Sequence, residues 1–520
     1  MIFTDPFFIV FFLPISVSAF YIFGRMFGRE AALATVFAAS LLFYLNWGIA
    51  SFSVMLTGTI VNFVVCSWLL RLDQSQKLLR RSLFSLGQIY NFGTLILFKY
   101  ALPLITPQGG AEVAAAAIPV GISFYTFQQA VLLADAYARN PDVVSYFGVG
   151  RSPTTGRAFI RFGAFHCFFP QLVVGPITYL SEFGPQVLSP YFAKPRRADF
   201  EIGLTLIAIG LFKKVAIADG LGIIVDPTFG ALQNGLLPSQ AQAWAATLAY
   251  FAQLYFDFSG YSDMALGIGR LFGVRLPINF DSPLRASGIA DFYRRWHITL
   301  TRVIGRFLFT PISIAATRWA THRRLNPTGV RVVGQWFPLL VNFEVIALWH
   351  GTTPTFLLFG LIHGAWFILE SEVKRQRVWR RYKDAVSETV RRTAGQLLTF
   401  LPLMMTFALF RSNSMDTFLL LVRCLWTDAG PGLNNLKDLG DAYLLIAFAF
   451  AIVWLAPNTT ALLRGRKAGL ETWQNPTTTI GPLARLRWRA SVPWAIGVSS
   501  LVVASLFFLG RKAPFIYMGY

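Results

Sequence analysis

The chain has 520 residues, of which 55% are hydrophobic and only 14% charged, and its mean hydropathy is +0.53; that is too little charge to cover a soluble surface of this length, so it reads as a polytopic membrane protein. The net charge of +21 lies in short Lys/Arg clusters between apolar spans, which points to membrane topology and anionic lipid and not to a nucleic-acid partner. Cys66, Cys167 and Cys424 are odd in number and widely spaced in apolar surroundings, which argues against a disulfide framework and offers no metal-ligand spacing.

The chain opens without the basic n-region of a cleaved signal peptide, and TDP at 4–6 reads as a helix start, with Thr4 or Asp5 as N-cap and Pro6 in the first turn. The first span is therefore expected to remain in the mature protein. A crossing helix needs about 20 residues, and candidate spans lie at 7–23, 31–46, 51–70, 84–104 and 118–137. The loops after them alternate. Arg25 and Arg29 are followed by an uncharged 47–50, then Arg71, Lys77, Arg80 and Arg81 by a 106–117 whose one charge is Glu112, then Arg139, Arg151 and Arg157. The positive-inside rule places the N-terminus outside the cytoplasm on this pattern.

Residues 158–177, AFIRFGAFHCFFPQLVVGPI, are apolar, yet Lys194, Arg196 and Arg197 beyond them again read as cytoplasmic. A re-entrant segment broken by Pro170, Gly175 and Pro176 fits that parity, and broken backbone at membrane depth implies a cavity or protein partners. Spans at 201–222 and 241–258 flank a loop, 223–240, that lacks Lys and Arg as an outer loop should. FDFSGYSDMALGIG at 256–269 ends one span and starts another element through Ser259 and Gly260. The basic, Gly-broken region 260–334 reads as short helices on and partly within the cytoplasmic leaflet. Spans at 336–350 and 355–370 surround WHGTTP and precede the basic 374–392; the last candidates are 396–411, 442–456 and 490–509, with an amphipathic surface helix and loop within 412–441. Arg511 and Lys512 fall outside on this count, so one late segment need not cross. The whole is one membrane-embedded unit, with N-terminal spans at 1–137, a catalytic core at 158–371 and C-terminal spans at 396–520.

Four of the five histidines fall between 291 and 363. His350 ends an apolar helix between Trp349 and Gly351; an ionisable group at that depth faces a cavity or a partner and is a candidate for function, the competing reading being a structural histidine bonded to a carbonyl. Imidazole takes and returns protons near neutral pH. His297 follows Asp291, Arg294 and Arg295, where Asp291 and Arg295 are i, i+4 partners on one helix. A charged juxtamembrane helix is the plain reading there, and a second site histidine or an anion site for a phosphate-bearing donor is the functional one. His363, between Gly360 and Gly364, reads as close helix packing; His166 and His322 carry weaker signals. Asp257 and Asp263 are assigned to helix capping or to pairing with Arg270, with cavity lining as the alternative. The spacing of His, Cys and Glu makes no metal site, and neither a G-x-S-x-G elbow nor a Walker motif occurs.

IPVGISFYTFQ at 118–128, FFPQLVVGPI at 168–177, FDFSGYSDMALGIG at 256–269, DFYRRWHITLTR at 291–302 and LWHG at 348–351, in this order, resemble the membrane-bound O-acyltransferases, in their bacterial alginate O-acetyltransferase branch. The resemblance implies an all-α membrane enzyme with about 11–12 transmembrane helices, plus re-entrant and interfacial helices around a central funnel and tunnel. It implies that His350 is catalytic and His297 a second important residue, with Asp291, Arg294, Arg295, Trp296, Trp349, Asp257 and Asp263 as candidate support for the substrate or donor site. It further implies acetyl-CoA as donor substrate with no bound cofactor, a bacterial inner-membrane location, and a periplasmic partner acetyltransferase or polysaccharide such as alginate or cellulose as acceptor. Peptidoglycan or a lipid-linked sugar is the alternative acceptor. The chain departs from the branch at Tyr293, where tryptophan is common, at GRFLFTPISI (305–314) and at Glu344–Ala347, where glycines are common. A transporter with a polar path also suits broken helices and intramembrane charge, although no inverted repeat is visible; a structural subunit of an export complex is the third reading.

Overall fold

The computed structural model describes residues 1–105, 118–148, 155–428, 430, 432–433, 439–471, 483, 485–510 and 515–516. The predicted loop at 106–117 with Glu112, and Arg151, Arg511 and Lys512, lie outside the described residues. The chain is an all-α polytopic membrane protein. Among the described residues six helices are long and apolar enough to cross a bilayer, Phe8–Phe27, Ile49–Arg71, Ile298–His322, Pro327–His350, Pro354–Arg375 and Glu388–Arg411, and two shorter apolar helices follow at Leu439–Leu455 and Val492–Leu506. Asp5 accepts from the Phe7 amide at 2.9 Å at the first helix start, as its sequence suggests.

Polar groups inside these helices are satisfied locally, as lipid requires. The hydroxyls of Ser40, Thr59 and Thr228 donate to the carbonyls one turn earlier, Val36, Met55 and Ile224. Asn62 and Asn91 exchange amide hydrogen bonds at 2.7 and 2.9 Å, joining helices Ile49–Arg71 and Lys77–Ile96.

The buried centre is helix Gln240–Leu271, one continuous rod of 32 residues. The expected break at Ser259 and Gly260 is absent. Gly260 and Gly267 are contact points instead: a Cβ on Gly260 would meet the Gly210 carbonyl oxygen at 2.8 Å, and one on Gly267 the Gly203 oxygen at 2.6 Å. The small residues let helix Arg197–Phe212 lie directly against the rod. That helix runs on through a π-turn, Lys213–Ala218, into Asp219–Gln233, so most of the predicted outer loop at 223–240 is helical. A third correction concerns 260–334, where the predicted short helices give way to a 25-residue apolar helix, Ile298–His322, and to Pro327–His350, which starts well before the expected 336. π-turns at Gly305–Phe309 and Val332–Trp336 keep each run helical through glycine. Residues 158–177 are interrupted as expected, with helix Thr155–His166, a turn at Cys167, and the single turn Phe169–Leu172.

The motif segments meet one another. Gly121 (φ 74°) lies against the backbone of Leu172 and Val173, where a Cβ would come within 2.9 Å. The Ile177 amide donates to Thr299 Oγ1 at 3.1 Å, and Arg302 donates to the Ile177 carbonyl at 3.1 Å. Segments 118–128, 168–177 and 291–302 thus form one packed unit.

Candidate active site

His350 is the last residue of helix Phe337–His350 and is 8% exposed. Its ring lies edge-on to Phe410 at 4.8 Å and parallel to Phe356 at 6.2 Å. A Cβ on Gly351 would strike the Phe356 ring at 2.6 Å, so glycine at this position lets that ring close beside the histidine.

The helix end at His350 is capped from far along the chain. After helix Lys77–Ile96 a π-turn at Leu97–Ala101 brings two donors to it. Lys99 Nζ donates to the Trp349 carbonyl, and Tyr100 Oη donates to the Leu348 carbonyl at 2.7 Å. The last carbonyls of a helix lack intrahelical partners and carry the negative end of its dipole, so a cation there is favourable. Lys99 also lies 5.2 Å from the centre of the Trp349 ring.

His297 is 2% exposed and adopts a left-handed φ of 44° as N-cap of helix Ile298–Ile304. The single helix expected over 291–297 is therefore two elements, Ile289–Tyr293 and Ile298–Ile304, with the bend at the histidine. A non-glycine residue in that conformation costs about 1–3 kcal/mol and persists where surrounding bonds over-determine it. Here the extended segment before Asp281 does so: the Ile298 amide donates to the Asn279 carbonyl at 3.0 Å, and the Asp281 amide to the Arg295 carbonyl at 3.0 Å. His297 Nδ1 lies 3.1 Å from Asn279 Oδ1, which also accepts from the Thr299 amide at 3.3 Å and its hydroxyl at 3.0 Å. A backbone N–H can only donate, which identifies that Asn279 atom as the oxygen. The neutral His297 ring therefore carries its proton on Nδ1 and its lone pair on Nε2.

The two histidines come together across Trp349, whose ring centroid is 6.5 Å from that of His297 and 4.5 Å from that of His350. His297 and Lys99 both lie within electrostatic reach of His350. The indole Nε1 of Trp349 is buried and has no acceptor among the described residues.

Arg295 Nε pairs with Asp291 Oδ1 at 2.9 Å as the i, i+4 spacing predicts, and Arg294 reaches the same oxygen at 3.3 Å. Burial would raise the Asp291 carboxyl, but Arg295, the Ser287 amide and Arg294 together keep it below the ordinary aspartate range. These three residues line an open cleft of about 800 Å³ with Lys374, Arg391 and Arg392. Trp296 lies beyond them in the core, stacked on Phe292 at 5.5 Å.

Asp257 and Asp263 do not pair with Arg270, whose partner is Asp199 at 3.0 Å. Asp263 binds Lys213 at 2.6 Å and Asp257 binds Lys214 at 2.7 Å, with Asp219 also on Lys214 at 2.6 Å. A buried carboxylate takes the nearest cation across the helix contact, and the glycine crossing brings those lysines closer than one on its own helix. His363 is a packing residue: Nε2 lies 2.8 Å from Thr406 Oγ1 and Nδ1 2.7 Å from Tyr293 Oη, and a Cβ on Gly360 would meet Ala347 Cβ at 2.7 Å.

Lys99, Tyr100, Asn279, Lys213 and Lys214 escaped the sequence reading. A single lysine within the apolar run 84–104 and an adjacent pair within 201–222 are the same intramembrane signal that marks His350; nothing in the sequence marks Asn279, 18 residues before its partner.

Comparison with known proteins bears on this arrangement. A family model described as MBOAT, membrane-bound O-acyltransferase family, matches residues 150–325, a stretch that holds His297 and ends before His350. Over 467 residues the chain is 31% identical to the peptidoglycan O-acetyltransferase of Helicobacter pylori, covering 85% of this chain and 83% of that protein. Over 472 residues it is 30% identical to the "Probable alginate O-acetylase AlgI" of Azotobacter vinelandii, covering 87% and 85%. A teichoic acid D-alanyltransferase of Streptococcus thermophilus is 26% identical over 307 residues, 56% of this chain and 68% of that protein.

Proposed function

The chain belongs to the membrane-bound O-acyltransferase family, and from that premise we propose that it is an acetyl-CoA-dependent O-acetyltransferase of the bacterial inner membrane, its N-terminus periplasmic, that passes acetyl groups from the cytoplasm to a periplasmic glycan acceptor. The observation that carries this reading is the pairing of His350 and His297 across Trp349, in a protein interior built from apolar helices. His350 acts as general base on the acceptor hydroxyl, whose oxygen attacks the thioester carbonyl; the C–S bond breaks and CoA leaves as the thiol after taking up a proton. His297, its tautomer set by Asn279, orients the acceptor by taking a hydrogen bond from its hydroxyl at Nε2, and the Trp349 indole N–H is a donor for oxygen beside it. The basic cleft at Arg294, Arg295, Lys374, Arg391 and Arg392 suits the phosphates of the donor.

The relatives' names support a glycan acceptor, alginate-like or peptidoglycan, directly or through a periplasmic partner acetyltransferase. The test follows labelled acetyl from acetyl-CoA supplied to the cytoplasmic face of membrane vesicles. Label should reach glycan or partner protein with the wild type, and fall about a hundred- to ten-thousandfold with His350→Ala at matched protein level. Equal labelling by the variant, or uptake of an intact solute with no CoA release, would overturn the assignment, the latter in favour of transport.

A further inference from the structure

Helices Arg197–Phe212, Leu439–Leu455 and Val492–Leu506 enclose an apolar cavity of about 380 Å³, walled by Ile209, Phe212, Ile452, Val453, Val498 and Leu501. Most of its few polar groups already have partners: Lys213 bonds Thr459 and, behind the wall, Asp263, Asn458 bonds Ser282, and Thr205 bonds the Glu201 carbonyl. Thr205, Trp494 and Val498 also line a second cleft of about 500 Å³, where the character changes to Arg197, Arg489, Ser491, Ser499 and the indoles of Trp488 and Trp494. The one carboxylate in that cleft, Glu201, pairs with Arg197 at 2.7 Å. Among the described residues no carboxylate pairs with Arg489.

These two spaces have the polarity of a lipid molecule. At a helix rise of 1.5 Å per residue, Arg197 stands about 12 Å from Thr205, and Thr205 about 10 Å from Phe212. An apolar slot thus begins one headgroup's depth from the charged end and runs for most of one leaflet, about half of a 30 Å hydrocarbon core. Outside the slot, Leu444, Phe448, Ile496, Val503 and Leu506 are exposed on the same helices, so the medium there is acyl chain. Water would find few partners in the slot. At the charged end, Arg489 and the first turn of the 15-residue helix Val492–Leu506 favour an anion, and tryptophan suits the interface.

We propose that this paired cavity is a binding site for an anionic phospholipid, its headgroup phosphate against Arg489 and the start of helix Val492–Leu506 and one acyl chain in the slot between that helix and Arg197–Phe212. The site lies outside the histidine pair and holds whatever the acyl acceptor proves to be.

The test uses the full-length protein in mild detergent, incubated with phosphatidylglycerol or phosphatidylcholine and read by native mass spectrometry. The wild type should retain one phosphatidylglycerol with about a fivefold preference over phosphatidylcholine. Gly497→Phe directs a ring into the slot from a position where a Cβ meets nothing within 4 Å, and should abolish retention of either lipid. Arg489→Gln, an exposed change that leaves folding intact, should keep retention and lose the preference. Retention unchanged in Gly497→Phe would overturn the slot. Equal retention of both lipids by the wild type would overturn the anionic headgroup site, and displacement of the lipid by millimolar inorganic phosphate alone would overturn a chain-anchored ligand.

Discussion

Asn279 holds His297 from 18 positions away in sequence, with Oδ1 3.1 Å from His297 Nδ1 and the Thr299 amide fixing which amide atom is the oxygen. The bond selects the Nδ1–H tautomer and braces a left-handed backbone at the same residue. Replacing Asn279 with leucine removes the acceptor of the Thr299 amide and hydroxyl and of the His297 Nδ1–H, the last left buried and unmet at a cost of about 1–3 kcal/mol. If that falls on the reaction, acyl transfer drops roughly 5- to 150-fold at pH 7. Asn279→Ser, able to accept from the same proton, should recover part of the loss; steady-state transfer rates for the two variants at matched expression decide it, and an unimpaired Asn279→Leu rate would show that the tautomer does not matter.

Lys99 reaches the other histidine indirectly, through the Trp349 carbonyl at the helix end. Lys99→Met removes both the donor and the cation from a buried helix C-terminus, so His350 loses its fixed position while the helix core persists. Transfer should fall by about tenfold or more, a loss near 1.4 kcal/mol at the transition state, with Lys99→Arg intermediate. Tyr100→Phe, which removes one neutral donor, should cost less. A Lys99→Met enzyme with wild-type turnover would remove the cap from the account.

How far the sequence could be read depends on the range of the interaction. Asp291 and Arg295 sit four apart in sequence, a spacing that a helical turn brings together, so their pairing was legible although the helix itself ends at Tyr293, and the apolar run ending in Trp349 and His350 announced a buried ionisable group. Gly260 was misread because glycine looks like a helix breaker when it is in fact a contact point for Gly210, a partner 50 residues away. The Asp263–Lys213 pair was hidden by the same distance. π-turns at Lys213–Ala218 and Leu97–Ala101 insert a residue and rotate the turns after them, so helical periodicity did not predict which way Lys99 faces.

The Lys213–Asp263 ion pair offers a stability test independent of catalysis. Both side chains are buried and Thr459 bonds to each, so the pair is well solvated by the protein. Lys213→Met strands the carboxylate and should destabilise by about 3–5 kcal/mol, whereas Lys213→Met with Asp263→Leu should return most of it. Unfolding of the purified protein in graded denaturing detergent measures both. A double variant as unstable as the single one would mean that the pair contributes more than mutual neutralisation.

Asp291 predicts an acid limit. Its carboxyl in the folded protein titrates below the unfolded value, because Arg295, the Ser287 amide and Arg294 outweigh burial. The resulting stability is complete above the unfolded aspartate pKa, about 3.9, and is lost as pH falls through the lower folded value. Asp291→Asn should therefore lower stability at pH 7, by about 1–3 kcal/mol for hydrogen bonds to a charged partner, and flatten the fall below pH 4. An unchanged acid profile in the variant would assign that fall to other carboxylates.

Tyr293 and His363 form a hydrogen-bond chain whose direction can be deduced. Thr406 Oγ1 donates to the Leu403 carbonyl at 3.0 Å, which uses its one proton, so it must accept from His363 Nε2–H; Nδ1 then accepts from Tyr293 O–H. The chain ties the short helix Ile289–Tyr293, just before His297, to helices Pro354–Arg375 and Glu388–Arg411. Tyr293→Phe leaves the imidazole lone pair buried and unmet and should cost about 1–3 kcal/mol of stability. His363→Leu should cost a similar amount, and the double variant less than the sum, because the second change removes a group the first has already stranded. Transfer per folded molecule should stay close to wild type in all three, since neither residue reaches the histidine pair. A turnover defect without a stability defect would instead place Tyr293 in the reaction.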